Sequence, residues 1–458
     1  MIMQSFYIEV LKRPHPRFLL NNAKLNSICD PLLIEAYEKA LSKTQYASPA
    51  QLEAIQRAGL LRLIDSAKKH VTFYKEYFKN LNSVEDFYRL PPISKEEIRR
   101  AKDAGLLENK DLRRYKIERY TSGSTGVPLN FYADANMLQK RLARYRRMFD
   151  WMGRQAGDLI IRIMGDNDYS GRMRVPGVND EDVFFQCRGT KDLEQKRHEL
   201  YKLFKGKKII LYTRPSHLLH LAYLIENDKL EFDFRGFVSV SEDLLPEMRS
   251  YIERRLNAPV FNFYSSTEAS GIGFECEYHD GFHVLSELMY VEIVDDKGLP
   301  LSVGKTGDVV VTVLDNEVMP FIKYRLGDKG YWLKDPCLCG RTLPRIKVTG
   351  RNIYSFLLPN NEVGYFSNLI QPIAERKDKV FRFQIIRQSV LNFEIKIIPT
   401  KLFSAEDQNI IQDAFRGYLG PRSSISIKIV NTIKAAPSGK EHSFINLSPD
   451  YPRINNYE

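Results

Sequence analysis

The side chains best placed to do chemistry in this chain are hydroxyls, carboxylates and thiols that recur at short, fixed spacings. The densest group is Thr121-Ser122-Gly123-Ser124-Thr125-Gly126, which sets four hydroxyls and two glycines in consecutive residues. Glycines let a backbone approach an anion and take positive φ, and the amides and hydroxyls of such a turn can converge on phosphoryl oxygens. The run is not a Walker loop, which needs a lysine after the last glycine and a helix beyond it; here Pro128 to Tyr132 reads as a strand. A flexible hairpin tip has the same composition, so the run alone leaves both readings open.

A second group is built from thiols. The chain has five cysteines, an odd number for a disulfide framework. Cys276, Cys337 and Cys339, with His283 and with His279 as a competing ligand, form two local clusters of soft and imidazole donors. A four-ligand set of this kind suits tetrahedral Zn²⁺, and a closed set would make the ion structural. Buried free cysteines beside surface histidines remain the alternative, because spacing does not show that the two halves meet. Cys29 and Cys187 read as ordinary packing residues.

These groups need elements to position them. Residues 1 to about 90 read mainly as helix, over Pro31 to Leu41 and Gln51 to His70, and Ser94-Lys95-Glu96-Glu97 is a capping box that predicts a helix from Lys95 towards Ala104. From Gly157 to Tyr264 apolar strands at 159–163, 208–212, 236–240 and 260–264 alternate with helical stretches at His217 to Asn227 and Leu245 to Arg255. Such alternation builds a mostly parallel sheet. Ligands in such sheets sit beyond the carboxyl ends of the strands, which draws attention to Ser241-Glu242-Asp243 and to Ser265-Ser266-Thr267-Glu268. Strands at Met289 to Val294, Gly307 to Leu314 and Gly330 to Leu333 predict an antiparallel subdomain. After a boundary near Arg351 comes a small α+β unit: a helix from Gly364 to Ile373, strands Phe381 to Arg387 and Leu391 to Pro399, a helix Ala405 to Gly417 and a strand Ser424 to Val430. Its tail carries Ser438-Gly439-Lys440. The predicted fold is therefore α/β, with a large domain over 1–351, whose 1–90 segment is helical, and a small one over 352–458.

Composition narrows the class. Hydrophobic content of 43% and charged content of 27% are ordinary for a globular protein, no apolar run is long enough to span a membrane, and the N-terminus lacks a signal-peptide pattern. A cytoplasmic address is expected. Lysine and arginine exceed aspartate and glutamate by 68 − 57 = 11. The densest basic stretch, Lys140 to Arg147, reads as the solvated face of an amphipathic helix, with nucleic-acid or membrane contact as the lesser reading.

In order, the sequence carries Thr121 to Gly126, Tyr264-Ser265-Ser266-Thr267-Glu268, Tyr324-Arg325-Leu326-Gly327-Asp328, Gly350-Arg351 and Ser438-Gly439-Lys440. Each could be an ordinary turn or helix end by itself. The series resembles the adenylate-forming superfamily. With Cys337 to Ile346 and Gly281-Phe282-His283 it is similar to the branch of phenylacetate-CoA ligases and CapK-like proteins.

That resemblance implies ATP-dependent activation of a carboxylic acid as acyl-AMP, followed by transfer to coenzyme A or to an amine or hydroxyl acceptor such as an amino-sugar or hydroxy-sugar precursor. It implies that Thr121 to Gly126 (Thr121, Ser122, Gly123, Ser124, Thr125, Gly126) holds the β- and γ-phosphates. Tyr264 would stack on the adenine, and Ser241, Glu242 and Ser265 would be among the nucleotide-binding residues. Thr267 would approach the α-phosphate and Glu268 would ligate Mg²⁺. Asp328 would bind the ribose, Arg351 ribose or phosphate, and Lys440 would bridge carboxylate and α-phosphate. The expected partners are ATP, an organic acid and an acyl acceptor, with no nucleic acid and a homodimer as an option. Several positions depart from the family pattern. Val127 and Leu129 stand where a lysine is common nearby, Ser265 replaces a glycine, Ser241-Glu242 stands where two glycines and a glutamate are usual, and Asn352 stands at the hinge. A non-catalytic nucleotide sensor or a nucleic-acid-binding scaffold is the rival class, and steep salt dependence of DNA binding without ATP turnover would favour it.

Overall fold

The computed structural model describes residues 30–120, 129–164, 171–174, 181–187, 190–241, 244, 246–350, 355–358, 363–365, 369, 372–373, 375–376, 379–431, 433 and 444–446. Thr121 to Gly126, Glu242, Arg351, Lys440 and Cys29 lie outside the described residues. The chain divides into two compact units, one of Met1–Arg119 with Phe131–Arg351 and one of Tyr120–Asn130 with Asn352–Glu458.

In the first unit the helices Pro31–Thr44 and Pro49–His70 open the described chain. Both start on side-chain caps: Asp30 accepts from the amides of Leu32 and Leu33, and Ser48 forms a capping box with Gln51. Ser94 and Glu97 form the expected capping box on the helix Lys95–Asp103. Strands β1 (Lys116–Tyr120) and β2 (Asn130–Asp134) pair with each other and lead into the long helix Ala135–Trp151.

The centre of the unit is a sheet with twelve strands among the described residues. Its chain-order members are β3 (Leu159–Met164), β4 (Gly171–Arg174), β5 (Glu181–Gln186), β6 (Lys208–Thr213), β7 (Asp233–Val240) and β8 (Val260–Tyr264), then β9 (Gly273–Phe274), β10 (Phe282–Val284), β11 (Met289–Val294), β12 (Gly307–Val313), β13 (Tyr324–Trp332) and β14 (Arg345–Gly350). Across the sheet the order is β11-β12-β13-β14-β10-β9-β8-β7-β6-β3-β5-β4. The run β8-β7-β6-β3-β5 is parallel, and β9 and β10 join it antiparallel to the rest. The expected antiparallel region is thus continuous with the parallel one, hydrogen-bonded to it through two very short strands.

Alternation of side chains sorts the parallel strands into two cores. Ile161, Ile163, Ile209, Leu211 and Phe237 pack with the helices Thr190–Phe204, Pro215–Asn227 and Pro246–Leu256, and Cys187 is buried there as a packing residue. Ile160, Ile210, Tyr212, Val238 and Val240 point the other way, against Tyr145, Met148 and Phe149 of the Ala135–Trp151 helix.

That helix corrects the reading of Lys140 to Arg147 as a solvated face. Lys140, Arg144 and Arg147 are 5%, 2% and 3% exposed. Arg147 donates to both oxygens of Glu287 at 2.6 and 3.3 Å and to the Leu41 carbonyl, and Arg144 lies 3.6 Å from Asp315. The charges are buried because acids from loops more than a hundred residues away meet them, which helical periodicity cannot register.

The second unit has a sheet ordered β19-β18-β17-β20, from β17 (Val380–Arg387), β18 (Asn392–Pro399), β19 (Ser424–Ile429) and β20 (Phe444–Asn446), with the helix Ala405–Leu419 packed through Ile411, Phe415 and Leu419. The expected helix from Gly364 does not form at its start. There β16 (Val363–Tyr365) pairs antiparallel with β15 (Ser355–Leu357), Ser355 opposite Tyr365, and among the described residues of 364–373 helical backbone appears at Leu369 and at 372–373. A partner strand six to ten residues upstream outweighs local helical spacing.

Candidate functional site

The most informative site in the first unit lies where β8 ends. After Tyr264 the chain turns over Ser266 to Ala269, held by the Ser266 hydroxyl accepting from the Ala269 amide at 3.1 Å and by the Ser270 amide donating to the Ser266 carbonyl at 2.9 Å. Ser270 takes a φ of 54° and Gly271 one of 122°, and a Cβ on Gly271 would lie 2.8 Å from the Phe263 ring, so only glycine fits there. This turn presents Thr267 and Glu268; Glu268 is 5% exposed.

Opposite stands β13, which is irregular at the motif Tyr324 to Asp328. Val310 of β12 pairs with Arg325 and Asp308 pairs with Lys329, so β13 spends four residues while β12 spends two. Gly327, at φ 88°, absorbs the excess as a bulge. Bulges re-aim side chains, and here Asp328, 3% exposed, accepts a hydrogen bond from the Tyr264 hydroxyl at 2.7 Å. The Tyr324 hydroxyl in turn donates to Glu268 at 3.0 Å. Two hydrogen bonds therefore tie the Tyr264–Glu268 motif to the Tyr324–Asp328 motif. The Tyr264 ring is inclined at 40° to Phe282, with centroids 5.6 Å apart.

Ser241 closes β7 with a φ of 70° and is exposed. A left-handed backbone at this point is the natural place for glycine, and a serine there costs about 1 kcal/mol. Ser265 follows Tyr264 directly and its hydroxyl donates weakly to the Ser266 carbonyl at 3.4 Å.

The second cluster joins halves of the sequence that spacing alone could not connect. Cys276, His283, Cys337 and Cys339 offer ligand atoms that all lie within 4.8 Å of one another. Sγ of Cys276 is 3.5 Å from Sγ of Cys337, and Sγ of Cys339 is 3.4 Å from Nε2 of His283. A tetrahedral ion with legs of about 2.1–2.3 Å needs ligand separations of roughly 3.5–3.8 Å. The fit is close. His283 is fully buried, burial pushes its imidazole down to about 4, and Nδ1 lies 3.2 Å from the Leu343 carbonyl. A hydrogen bond at Nδ1 leaves Nε2 as the donor atom facing the thiols, the orientation that metal-ligating histidines take. His279 is turned elsewhere, with Nδ1 2.9 Å from Arg249 and 3.2 Å from Glu275. Glu275 also accepts from one Arg249 amine through both carboxylate oxygens and from the Asn262 amide, just before Cys276. His279 lies outside the group of four donor atoms that His283 joins.

With these geometries in hand, comparison with known proteins is informative. The CapK C-terminal domain family matches residues 360–447. The chain is 25% identical to Protein CapK of Staphylococcus aureus, over 83% of this chain and 86% of that one. It is also 25% identical to the phenylacetate-coenzyme A ligase of Thermus thermophilus, over 79% and 85%. In fold it is similar to 2-hydroxyisobutyryl-CoA ligase in complex with 2-HIB-AMP and CoA in the thioesterification state, with a TM-score of 0.64, 21% identity and coverage of 89% and 92%.

In sequence the chain is similar to the branch of phenylacetate-CoA ligases and CapK-like proteins within the adenylate-forming superfamily. Its mixed α/β sheet and separate small C-terminal sheet match the fold of its structural neighbours.

Sequence reasoning did not anticipate Tyr324, whose hydroxyl engages Glu268. A tyrosine opening the Asp328 motif is indistinguishable from a core aromatic until the strand pairing is known.

Proposed function

We propose that this protein is an AMP-forming acyl ligase: it joins a carboxylic acid to ATP as acyl-AMP with release of pyrophosphate, then passes the acyl group to the thiol of coenzyme A. The observation that carries this reading is the pair of hydrogen bonds from Tyr264 to Asp328 and from Tyr324 to Glu268, which gather two motifs at the carboxyl end of β8. The relatives named phenylacetate-coenzyme A ligase, and the structural neighbour crystallised with an acyl-AMP and CoA, support the same reaction order.

A carboxylate is a poor acyl donor because its oxygen leaves badly. Attack of one carboxylate oxygen on the α-phosphorus forms a new P–O bond, breaks the bond to pyrophosphate and turns that oxygen into part of a good leaving group. The protein has no covalent task; it positions two anions and offsets the charge they bring. Asp328 is assigned the ribose hydroxyls, to which an ionised carboxylate is a strong acceptor, and its bond to Tyr264 ties the ribose-binding carboxylate to the aromatic assigned to adenine. Glu268 is a buried hard-oxygen donor held by Tyr324, as a Mg²⁺ ligand requires, with Thr267 beside it. Bound Mg²⁺ would neutralise phosphate charge. Thr121 to Gly126 is assigned the β- and γ-phosphates, Ser241, Glu242 and Ser265 the nucleotide rim, Arg351 the ribose or phosphate, and Lys440 the cation that bridges the reacting carboxylate and phosphate. We further infer that Cys276, His283, Cys337 and Cys339 hold one structural Zn²⁺.

Transfer to an amine or hydroxyl of a polysaccharide precursor is a second reading, favoured by the match of residues 360–447 to the CapK C-terminal domain. Trapping with hydroxylamine separates the steps. Incubation of enzyme, Mg·ATP and a panel of acids should yield a hydroxamate with at least one acid. Coenzyme A and amino sugars, added singly in place of hydroxylamine, identify the acceptor. Absence of hydroxamate across a broad panel, with salt-sensitive DNA binding instead, would support the scaffold reading.

A further inference from the structure

Lys323 stands one residue before the Tyr324–Asp328 motif, and the fold holds it in a state that lysine rarely adopts. Its φ is 51°, in the left-handed region, and its side chain is fully buried. Lys229, Ser241 and Asn257 share that backbone but are exposed. The strain and the desolvated charge are both unfavourable in themselves, so other contacts must hold them in place.

Those contacts form a clamp. The Lys323 ammonium donates to Glu292 of β11 at 2.8 Å and to the Tyr88 carbonyl at 3.4 Å, and it lies 5.4 Å from the centre of the Phe87 ring. Glu292 is itself buried. The Lys323 amide donates to the Thr312 hydroxyl of β12 at 3.0 Å, and its carbonyl accepts from the Ile93 amide at 2.7 Å. The Ile93 carbonyl then accepts from the Arg325 amide at 2.9 Å, and Ile93 forms a parallel bridge with Tyr324. Tyr324 therefore sits between two fixed residues at the head of β13, buried, with its hydroxyl donating to Glu268 at 3.0 Å. That hydroxyl is the far end of a long lever, so a small rotation of the backbone at residue 323 carries it out of hydrogen-bond range.

We propose that Lys323, tied to Glu292, is a positioning residue: it keeps the chain left-handed just before Tyr324 and so keeps the tyrosine hydroxyl on Glu268, with the carboxylate aimed at the Mg²⁺ that accompanies ATP. This rests on the assignment of Glu268 to Mg²⁺. Groups that orient a metal ligand matter nearly as much as the ligand, and a site is only as precise as the residues that lock it. Released from Glu292, residue 323 relaxes towards ordinary backbone, the bond from Ile93 is lost and Glu268 is no longer held in direction.

The test separates aim from stability. Lys323→Met alone leaves Glu292 as a buried carboxylate without its cation, so the informative protein is the double variant of Lys323→Met with Glu292→Leu, in which both charges are gone. Circular dichroism and melting should show it folded, with Tm near wild type. Calorimetry on the full chain, with no acid present so that nothing turns over, measures ATP binding with Mg²⁺ and with EDTA. Wild type should bind ATP more tightly with Mg²⁺. In the double variant that preference should fall about tenfold with the metal-free affinity unchanged, and Tyr324→Phe should show the same loss. The three substitutions combined should lose no more than either set, since both act through one hydroxyl. Glu292→Gln, which loosens the tie without changing the shape, should lower the preference by a smaller factor. A preference intact in the double variant or in Glu292→Gln overturns the proposal, as does additive loss in the combined protein. Parallel loss of both affinities also overturns it, because Lys323 would then support the fold at large. Wild type that binds ATP equally with and without Mg²⁺ would sink the Glu268 assignment and this inference with it, whereas a wild-type preference that survives every variant sinks this inference alone.

Discussion

The Cys/His cluster and the turn after β8 lie on neighbouring strands yet are built on opposite plans. In the cluster four donor atoms face one another within 4.8 Å, three of their four residues are buried, and the histidine is oriented by a backbone carbonyl. The turn instead spreads Thr267, Glu268 and Asp328 along a bulged strand and a tight turn, each carboxylate steadied by one tyrosine hydroxyl. A closed donor set is what a structural ion needs. Carboxylates that accept from neutral hydroxyls keep their charge for ligands that come and go. If this contrast is right, damage to the turn should abolish chemistry with little loss of fold, and damage to the cluster should do the reverse.

The largest effect is expected from Glu268→Gln, which keeps the shape and the Tyr324 contact but removes the charge for a metal. Acid-dependent pyrophosphate release should fall by about a hundredfold or more while the melting temperature moves little. Normal turnover in this variant would remove Glu268 from the reaction. Lys440→Ala should likewise cost most of the adenylation rate, with ATP binding measured by calorimetry retained; unchanged pyrophosphate release would refute its role.

Next in size is the cluster. Cys276→Ser and Cys339→Ser should each lose the approximately one zinc per chain that elemental analysis is expected to find in the wild type, and lower Tm by about 5–10 °C. The kcat of the fraction still folded should stay near wild type. Wild-type protein without bound metal, or a variant whose kcat falls without a change in Tm, would erase the distinction between the two regions.

The buried pair Arg144 and Asp315 gives a third, purely structural control. Arg144→Met should destabilise the protein by about 3–5 kcal/mol, because it leaves a buried carboxylate uncompensated, and adding Asp315→Leu should recover much of that loss. Denaturant unfolding of the three proteins measures it. A double variant no better than the single one would mean that the two charges are not coupled.

The smallest effect is expected from Tyr264→Phe. Losing one hydrogen bond to Asp328 should raise the KM for ATP about fivefold to tenfold with kcat nearly kept. A wild-type KM would mean that Asp328 is not oriented by this bond.

Much of this arrangement was legible beforehand because its signals are local. The capping box at Ser94, the alternation of β6 and β7 and the motif after β8 depend on residues within a few positions of each other. What escaped depends on partners. The face of Lys140 to Arg147 reads as solvated because Glu287 and Asp315 come from distant loops, and Gly364 and Tyr365 read as helical because their partner strand lies upstream. The cysteines occupy a middle ground. Their types suggest a four-ligand set, but the antiparallel pairing of β10 with β9 and β14 is what brings Cys276 and His283 to Cys337 and Cys339, with His279 outside the group. Gly327 was read within a motif, whereas its work is to make a bulge that turns Asp328 towards Tyr264.

The most direct test of the central claim is acid-dependent exchange of labelled pyrophosphate into ATP, measured on wild-type protein and on Glu268→Gln across one panel of mono- and dianionic acids. Exchange that appears only with acid present, and that disappears in the variant, is the expected result. No exchange with any acid, or exchange of equal rate in the variant, would contradict an adenylating role for the turn after β8.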